Sequence, residues 1–386
     1  MHFYSDFSES QLDSIVSEWK EKSFVFLHHT GFVYGMGCRI DDVKAVNKLR
    51  KLKHREFEKG FVILLPGFHA ISNKGERLTN EGSNFEPISF DLDHSSLALI
   101  EQYMPGNLTL VLKHDQTSEL LNSLAVDGKI AIRIPEDPTL RSFIDKLGVP
   151  VISTSINLAK EPPITDIEEI KKLDWFDFAL VDPDHSYDLS TVSTIVEPLR
   201  DKIVCYREGS IPFSEVEKSY QNPLILFICT GNICRSPMAE YYARHEIKRN
   251  QLSFRTDSAG FYMEMVKISA NSFSILTREG VEVDEHFSKK VNNRLMRMSW
   301  LVLTMEEHHY EDLLAAFPNS KHKIFTLARF SGFAGDIEDP YQRNLEVFES
   351  IYSQIKKFCM VLVDKLLLRT NQPIFIRQLE KEIIEE

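Results

Sequence analysis

The sequence predicts an α/β fold in two domains, and three observations support this. Apolar strand-like runs alternate with amphipathic helical segments along the whole chain. Its 386 residues are 43% hydrophobic and 26% charged, which is enough for two cores. A polar stretch between Pro212 and Pro223 lacks a strong apolar period. We therefore predict a domain over 1–212, a linker at 213–222, a second domain over 223–370, and a tail at 371–386 with a short amphipathic helix.

Composition excludes several classes of protein. The formal net charge of −12 repels polyanions at long range, so general nucleic-acid binding is not expected. Weak contact with tRNA and binding of small anions in basic pockets remain compatible with this charge. The N-terminus lacks the order of a signal peptide, and no apolar run approaches the length of a membrane span. Five scattered cysteines indicate free thiols, and none of their spacings suggests zinc. We expect a cytoplasmic protein with no membrane partner.

Around residue 50, the N-terminal domain has a helix and a strand joined by a basic connection. Val43, Val46 and Leu49 form an apolar stripe at helical spacing, and an apolar strand begins at Phe61. The connection contains three cations, Lys53, Arg55 and Lys59. Such a cluster is either a solvated basic face or a phosphate site.

Five later segments are apolar strands that end in hydroxyl, amide or guanidinium groups. They are "MPGNLTLVL", "IAIRIPEDP", "VISTSINLAKEPP", "STVSTIVE" and "VCYREGSI". Collected into one cavity, these polar groups would bind a polyphosphate and a carboxylate more readily than a hydrophobic ligand.

In this order, the segments resemble the YrdC-like threonylcarbamoyl-adenylate synthases over about residues 10–212. "HHTGFVYGMGC" stands at the opening motif, Lys53 and Arg55 at its Lys-x-Arg, and Ser155 and Asn157 at its Ser-x-Asn. The resemblance implies a twisted α/β sheet and the condensation of threonine, bicarbonate and ATP to threonylcarbamoyl-AMP, passed to a tRNA-modifying complex. It implies an ATP site formed by Lys53, Arg55, Lys59, Asn157, Thr165 and Arg207. It implies a threonine site formed by Arg133, Ser155 and Ser193, with Mg²⁺ accompanying ATP.

One departure from that family lies in the opening motif. Phe32 replaces a threonine that is expected to contact the amino-acid substrate, and His29 replaces a proline. A phenylalanine there would narrow the threonine pocket. The alternative is therefore an N-terminal domain that only binds nucleotide or RNA.

The second domain opens with a strand, a short loop and a helix. Leu224–Ile228 has the pattern of a buried parallel strand, and residues 236–248 have a helical pattern with Pro237 in the first turn. Backbone N–H groups and the helix dipole converge on an anion at such a junction. We expect Gly231 and Asn232 to adopt left-handed backbone angles, which turn the amides inward. This nest and Arg235 would hold Cys229 as a thiolate beneath a phosphoryl group.

A leaving oxygen needs a proton, and "DIEDPYQRN" supplies an acid in a turn. Asp339 precedes Pro340, whose ring restrains the preceding residue to an extended conformation. On its own, a loop carboxylate of this kind is more often a cap or a turn former. Its value as a candidate depends on the loop that contains Cys229.

"CTGNICRSPMAE", "DSAG", "LVLTMEEHHYEDLL" and "DPY" together resemble the low-molecular-weight protein tyrosine phosphatases, over about residues 223–370. The resemblance implies a Rossmann-like parallel sheet and hydrolysis of a phosphoprotein without metal or cofactor. It implies Cys229 as nucleophile, Arg235 as transition-state clamp and Asp339 as general acid. Four residues would support the loop: Asn232, Ser236, Ser258 and His286. Tyr341 would flank the entrance, and Cys234 is either a core thiol or the partner of Cys229 in a reversible disulfide.

Residues 261–273 depart from that family where the substrate entrance should lie, which leaves the phosphorylated residue open. Related bacterial phosphatases that act on arginine resemble this loop but have threonine where Ile233 stands. The bulkier Ile233 favours an aryl phosphate. A third interpretation, two inactive scaffolds, is disfavoured by the intact set of Cys229, Arg235 and Asp339.

Overall fold

The computed structural model divides the chain into two compact units. The first contains 1–92 and 104–213, and the second contains 93–103 and 214–386. The structure describes residues 2–4, 6–31, 33–53, 60–79, 85–115, 118–157, 163–181 and 192–381.

Seventeen strands are present in the described residues. Those of the first unit are β1 (His2–Phe3), β2 (Phe26–His29), β3 (Tyr34–Arg39), β4 (Val62–Leu64), β5 (Ile71–Asn73), β6 (Glu76–Arg77), β7 (Ile88–Phe90), β8 (Leu108–Lys113), β9 (Lys129–Arg133), β10 (Val151–Ser155), β11 (Phe178–Leu180), β12 (Thr194–Leu199) and β13 (Lys202–Arg207). Those of the second unit are β14 (Leu224–Cys229), β15 (Arg255–Gly260), β16 (Ser299–Thr304) and β17 (Ile324–Thr326).

Fourteen α-helices occur in the same described ranges. They are α1 (Glu9–Trp19), α2 (Val43–Leu52), α3 (His94–Tyr103), α4 (Glu119–Leu124), α5 (Pro138–Leu147), α6 (Ile167–Lys171), α7 (Phe213–Gln221), α8 (Arg235–Arg249), α9 (Ala270–Arg278), α10 (Asn293–Met298), α11 (Glu307–Ala316), α12 (Leu327–Phe330), α13 (Leu345–Asn371) and α14 (Ile376–Lys381). None of the described helices combines the length and apolarity that spanning a bilayer requires.

The first unit is built on a mixed ten-stranded sheet in the order β1-β11-β2-β3-β10-β4-β9-β8-β12-β13. All five polar-ended segments picked out in the sequence form strands of it, namely β8, β9, β10, β12 and β13. Local sequence signals fix the helices that flank it. Helix α5, for example, begins at Pro138 after Asp137, whose side chain accepts from the Leu140 amide, and ends at Gly148 in the left-handed region.

The second unit contains a parallel four-stranded sheet in the order β15-β14-β16-β17, which confirms the predicted Rossmann-like arrangement. Every residue of β14 is buried, as its unbroken apolar run predicts. Cys229 pairs in register with Gly260 of β15, and Ile228 pairs with Thr304 of β16. The carboxyl ends of three strands therefore meet at one edge of the sheet.

The predicted boundary at 213–222 is not an extended linker. Residues Phe213–Gln221 form helix α7, in which Val216 and Tyr220 are buried one turn apart. A stripe of only two apolar residues is too short to register as a period in the sequence. From Ser214 onward, this helix belongs to the second unit.

Helix α3 comes from the first half of the sequence yet belongs to the second unit, so the two compact units are not the continuous segments 1–212 and 223–370. Its Glu101 is fully buried and forms an ion pair of 2.7 Å with Arg369 of α13. The tail helix α14 joins the same core, because Ile376 and Leu379 are buried and the Ile376 amide donates to Glu101. Local periodicity carries no information about such a partner.

Two expectations about single residues were wrong. Val43, the first residue of α2, is 67% exposed and does not share the buried face of the helix. That face is formed by Ala45, Val46 and Leu49. Asn232 has the expected left-handed backbone, with φ of 55°, but Gly231 does not. One left-handed residue is enough to turn the loop.

Candidate active sites

Cys229 is the last residue of β14, where the loop to α8 begins. The Sγ atom of Cys229, in a residue only 2% exposed, lies 3.0 Å from Ser236 Oγ and accepts from the Asn232 amide at 3.3 Å. The Asn232 side chain donates to Ser236 Oγ, which leaves the hydroxyl proton of Ser236 available to the sulfur. These donors, with the N-terminus of α8, stabilise negative charge on the sulfur.

Asn232 holds the loop together through all of its polar groups. Its Nδ2 donates to Ser258 Oγ at 2.7 Å, and its Oδ1 accepts from the Lys289 amide at 3.0 Å. Its backbone carbonyl lies 2.9 Å from Nε2 of His286. The structure thus brings together the four predicted support residues, Asn232, Ser236, Ser258 and His286.

The protonation of His286 follows from its surroundings. A carbonyl oxygen can only accept, so Nε2 of His286 carries a proton and donates to Asn232. Burial lowers the pKa of His286, which favours the neutral ring. His286 therefore acts as a neutral donor that fixes the loop backbone.

Glu240 completes this network, although it was not predicted from the sequence. Ser258 Oγ donates to Glu240 Oε2 at 2.6 Å, and Arg244 pairs with the other oxygen. Burial raises the pKa of Glu240 to about 7. The available signal was its position one helical turn after Ser236, on the buried face of α8.

Gly260 is required by the close approach of β15 to the loop. A Cβ atom on Gly260 would lie 2.8 Å from the Asn232 amide nitrogen and 2.9 Å from the Thr230 carbonyl oxygen. Backbone atoms cannot move aside as a flexible side chain can. Any larger residue would therefore displace the loop between β14 and α8.

Arg235 is 1% exposed and is held between two carboxylates. Nη1 donates to Glu306 Oε2 at 2.6 Å and to the Ile337 carbonyl at 2.7 Å. Nη2 donates to Asp339 Oδ2 at 2.7 Å and to Thr230 Oγ1 at 3.1 Å. Its Nε has no hydrogen-bond partner among the described residues. The predicted clamp and acid are thus in direct contact, and Arg235 also bonds to Thr230, the residue that follows the predicted nucleophile.

Glu306 contacts Arg235 and His309 contacts Thr230, and the sequence analysis revealed neither residue. Both follow β16, whose carboxyl end meets that of β14. His309 is 1% exposed, and its Nε2 lies 3.0 Å from Thr230 Oγ1. Burial, with the neighbouring charges of His308 and Arg235, lowers the pKa of His309 to about 3, so its ring is neutral.

Asp339, Tyr341 and Cys234 are the remaining residues that the sequence predicted for this site. The Asp339 side chain is 38% exposed, and its Oδ1 accepts from the amide of Tyr341, a residue that is 49% exposed. Cys229 and Cys234 are both buried free thiols. Burial raises the pKa of Cys234 to about 11, so its thiol stays protonated at neutral pH. A disulfide between the two remains a prediction.

The first unit contains a cavity of about 870 Å³. Four of the predicted residues line it, Arg133, Ser155, Ser193 and Arg207, together with Thr30 and Lys129, which were not predicted. Arg207 donates to Ser193 Oγ at 3.0 Å, and Arg133 donates to the Gly106 carbonyl at 2.7 Å. Burial lowers the pKa of Arg133 to about 9, which leaves the guanidinium charged at neutral pH. Two arginines make this cavity attractive to anions.

The remaining predicted residues of this site fall into two groups. Lys53 is 4% exposed and donates to the Ser155 carbonyl at 2.9 Å and to the Asn157 carbonyl at 2.7 Å, so it joins two predicted strand-end residues. Thr165 is exposed and is not among the described residues that line the cavity. Arg55, Lys59 and Phe32 lie outside the described residues.

The parallel sheet and the Cys-x5-Arg-Ser loop define the second unit as a low-molecular-weight phosphatase domain, preceded in the chain by a separate α/β unit. Residues 224–372 match the family model "Low molecular weight phosphotyrosine protein phosphatase", and residues 22–209 match the Sua5/YciO/YrdC model, described as "Telomere recombination". The chain therefore belongs to the low-molecular-weight phosphotyrosine protein phosphatase family and carries a Sua5/YrdC domain, which confirms the predicted fusion.

Characterised relatives of the second unit include phosphatases with two named specificities. The protein-tyrosine-phosphatase Ptp of Acinetobacter johnsonii is 35% identical over 127 residues, which cover 32% of this chain and 84% of Ptp. A protein-arginine-phosphatase of Geobacillus stearothermophilus is 34% identical over 145 residues, which cover 37% of this chain and 95% of the relative. A solved phosphatase structure from T. tengcongensis is 33% identical, covers 37% of this chain and 99% of its own, and has a TM-score of 0.37.

Proposed function

We propose that the second unit hydrolyses phosphotyrosine in a protein substrate through a phosphocysteine intermediate. The observation that carries this proposal is the position of Arg235 between Asp339 and Thr230, the residue that follows Cys229. Asp339 lies 2.7 Å from Arg235, and Cys229 lies under the amide of Asn232. A phosphoryl group bound by this loop would meet nucleophile, clamp and acid together.

The reaction proceeds in two displacements. Cys229 Sγ attacks phosphorus, the P–O bond to the leaving oxygen breaks, and Asp339 gives that oxygen a proton. Arg235 stabilises the equatorial oxygens, and its unpartnered Nε is a donor that a bound oxyanion would satisfy. Water, deprotonated by Asp339, then attacks phosphorus and releases phosphate and the thiolate.

Ile233 favours an aryl phosphate as the substrate. Its side chain is 8% exposed within the loop, and an aliphatic group packs against an aromatic ring but offers a guanidinium no acceptor. Tyr262 and Met265, 70% and 75% exposed in the segment after β15, add apolar surface to the same unit. Because arginine phosphatases are among the relatives, phosphoarginine is the competing candidate substrate for this chain.

A panel of phosphotyrosine and phosphoarginine peptides tests this proposal. We expect the wild-type protein to hydrolyse phosphotyrosine faster, and Cys229→Ser to be inactive on both. Ile233→Thr should shift the ratio of kcat/KM toward phosphoarginine by about tenfold, since one hydrogen bond is gained and apolar contact is lost. A wild-type preference for phosphoarginine would overturn the assignment of substrate, and full activity of Cys229→Ser would overturn the mechanism.

For the first unit, we propose synthesis of threonylcarbamoyl-AMP from threonine, bicarbonate and ATP. The cavity that Arg133 and Arg207 line supports this proposal, because one guanidinium can bind the threonine carboxylate while the other contacts ATP. Lys53, at the edge of the same strand ends, would neutralise charge as pyrophosphate leaves. The product would then pass to a tRNA-modifying complex.

The described residues fit a Mg²⁺ ion that arrives with ATP. Among the described lining residues, Asp127 supplies a carboxylate, and Thr30, Ser155 and Ser193 supply hydroxyls. Mg²⁺ is usually held by one or two carboxylates, waters and substrate phosphates, so this donor set suits it. When bound, the ion would offset phosphate charge, while Arg133 and Arg207 orient the substrates.

Pyrophosphate release from ATP distinguishes synthesis from mere binding. We expect release to require both threonine and bicarbonate, and Lys53→Met to abolish it. Lys129→Met is the matched control, because Lys129 lines the cavity but is paired with Glu197 at 2.6 Å. ATP binding without threonine-dependent release would favour the alternative, a domain that only binds nucleotide or RNA.

A further inference from the structure

Two histidines and a glutamate at the start of α11 form a group that neither proposed reaction uses. Ligand atoms of Glu306, His308 and His309 all lie within 4.8 Å of one another. Glu306 Oε2 lies 3.6 Å from His309 Nε2, and the rings of His308 and His309 lie 4.0 Å apart between centroids. Two ligands of a tetrahedral Zn²⁺ ion, each about 2.0–2.1 Å from the metal, are separated by about 3.4 Å.

His309 Nε2 lies within reach of two oxygen atoms, Thr230 Oγ1 at 3.0 Å and Glu306 Oε2 at 3.6 Å. Thr230 Oγ1 already accepts from Arg235 Nη2. A neutral imidazole presents one nitrogen lone pair, which is the group that binds metal. The other nitrogen, Nδ1, is buried without a hydrogen-bond partner among the described residues, so stability alone does not explain a histidine here.

We propose that Glu306, His308 and His309 bind a borderline divalent cation such as Zn²⁺, and that this ion inhibits the phosphatase. A carboxylate and two imidazoles form a ligand set suited to that class of ion. His308 is exposed, so an ion can reach the site from solvent. A water molecule would complete the coordination.

Arg235 lies beside this site and has two carboxylate partners, Glu306 and Asp339. The second of them keeps the guanidinium paired when a metal ion binds Glu306. Glu306 Oε2 lies 2.6 Å from Arg235 Nη1, so a cation and the guanidinium compete for one oxygen. Arg235 keeps its ion pair with Asp339 and its bond to the Ile337 carbonyl when Glu306 turns toward the metal. Binding thus exchanges one partner of Arg235 without leaving it unpaired.

The ion would inhibit the phosphatase by breaking two hydrogen bonds. It removes Glu306 from Arg235 and His309 from Thr230, two contacts that fix the clamp and the phosphate loop. By reciprocity, an oxyanion bound in the loop should change the affinity for the metal by the same factor as the metal changes the affinity for the oxyanion. The inhibition rests on the proposed phosphatase activity, whereas the metal binding does not.

Cobalt binding tests the site without reference to activity. The full chain carrying Cys229→Ser, which lacks the competing thiol, is titrated with Co²⁺ and followed by visible absorption and equilibrium dialysis. We expect one ion per chain with a tetrahedral spectrum, and an affinity at least about tenfold weaker when His308→Asn is added. The control adds His245→Asn, on α8, and should leave the affinity unchanged. Equal affinity in the His308 and His245 variants overturns the proposal.

Zinc inhibition of aryl-phosphate hydrolysis tests the consequence. His308→Asn in the protein with Cys229 intact should keep its basal activity and need at least about tenfold more Zn²⁺ for half-inhibition. Inhibition at the wild-type concentration would place the ion on Cys229 and overturn this inference. If the wild-type protein hydrolysed nothing, the proposed function would fail, and the cobalt titration would still decide whether the site exists.

Discussion

At the scale of the residue, Arg235 owes its position to two carboxylates, Glu306 and Asp339, at 2.6 and 2.7 Å. Its planar fork contacts both at once, and a lysine ammonium cannot reproduce that geometry. The side chain is buried, so neither carboxylate can exchange it for solvent without a large loss.

Arg235→Lys should therefore lower kcat for an aryl phosphate by about 10²- to 10³-fold, because the transition state loses a planar donor pair. Arg343→Lys, at a residue 61% exposed and paired with Glu338, is the control and should keep wild-type kinetics. Steady-state rates and a far-ultraviolet spectrum of each variant provide the measurement. A wild-type kcat in Arg235→Lys would contradict its role as clamp.

Glu240 gives the second unit a pH-dependent stability. Burial raises its pKa to about 7 from an ordinary value of 4.5. Between those values the folded chain binds a proton that the unfolded chain has released. This contribution to stability is thus fully present below 4.5 and is lost as the pH rises through about 7.

Glu240→Gln removes that titration while keeping a group that can bond to Ser258. We expect the free energy of unfolding of the variant, relative to wild type, to increase by roughly 1–3 kcal/mol from pH 4.5 to 7 and to level off above it. Denaturant titrations followed by loss of phosphatase activity measure this. Glu282→Gln, with a side chain 86% exposed before substitution, is the control. A constant difference across this range would refute the titration.

At the scale of the element, a buried ion pair joins α3 to α13. Glu101 is 0% exposed and Arg369 2% exposed. The same carboxylate accepts from Trp300 Nε1 at 2.5 Å and from the Ile376 amide at the start of α14. One glutamate thus connects two helices, a strand and the tail, and no desolvated charge is left without a partner.

A double-mutant cycle measures this connection. Glu101→Leu and Arg369→Met should each cost about 3–5 kcal/mol, because each leaves an opposite charge buried, and the double variant should cost less than their sum. Unfolding of the second unit is followed through phosphatase activity. Lys248→Met, which removes an exposed pair with Glu282, should cost about 0–1 kcal/mol. Additive single effects would show that the pair is not coupled.

At the scale of the whole molecule, the phosphatase unit is discontinuous in sequence. The chain enters it at 93, leaves after 103 and returns at 214. In addition to Glu101, α3 supplies the Gln102 carbonyl, which accepts from the buried Lys323 at 2.8 Å. Burial lowers the pKa of Lys323 to about 7, and its ammonium depends on such carbonyls.

A fragment of residues 214–386 should therefore be less stable than the same unit in the full chain, although it contains the entire matched phosphatase region. Joining residues 93–103 to it through a Gly/Ser linker should restore the melting temperature. Thermal melts followed by activity compare the fragment, the fusion and the full chain. A fragment as stable as the full chain would show that α3 is dispensable.

Local sequence patterns predicted the strands on which each candidate site is built. The unbroken apolar run before Cys229 indicates a buried parallel strand, and the loop and helix that follow indicate an anion site. The five polar-ended strands of the first unit were predicted for the same reason. Glu306 and His309 were not predicted, because no local pattern indicates that β16 lies beside β14. The helix at Phe213–Gln221 was not predicted, because its two buried apolar residues give too weak a helical period in the sequence.

The sequence alone determined that the chain has two α/β units, that a cysteine and an arginine flank a short loop between a strand and a helix, and that polar groups end the strands of the first unit. These features depend on neighbours within one or two turns or one strand, so the order of residues specifies them. Only the tertiary structure decided that α3 belongs to the phosphatase unit, that Arg235 has two carboxylate partners, and that two histidines meet a glutamate beside it. Those contacts join distant segments through burial and charge pairing, which no local pattern encodes.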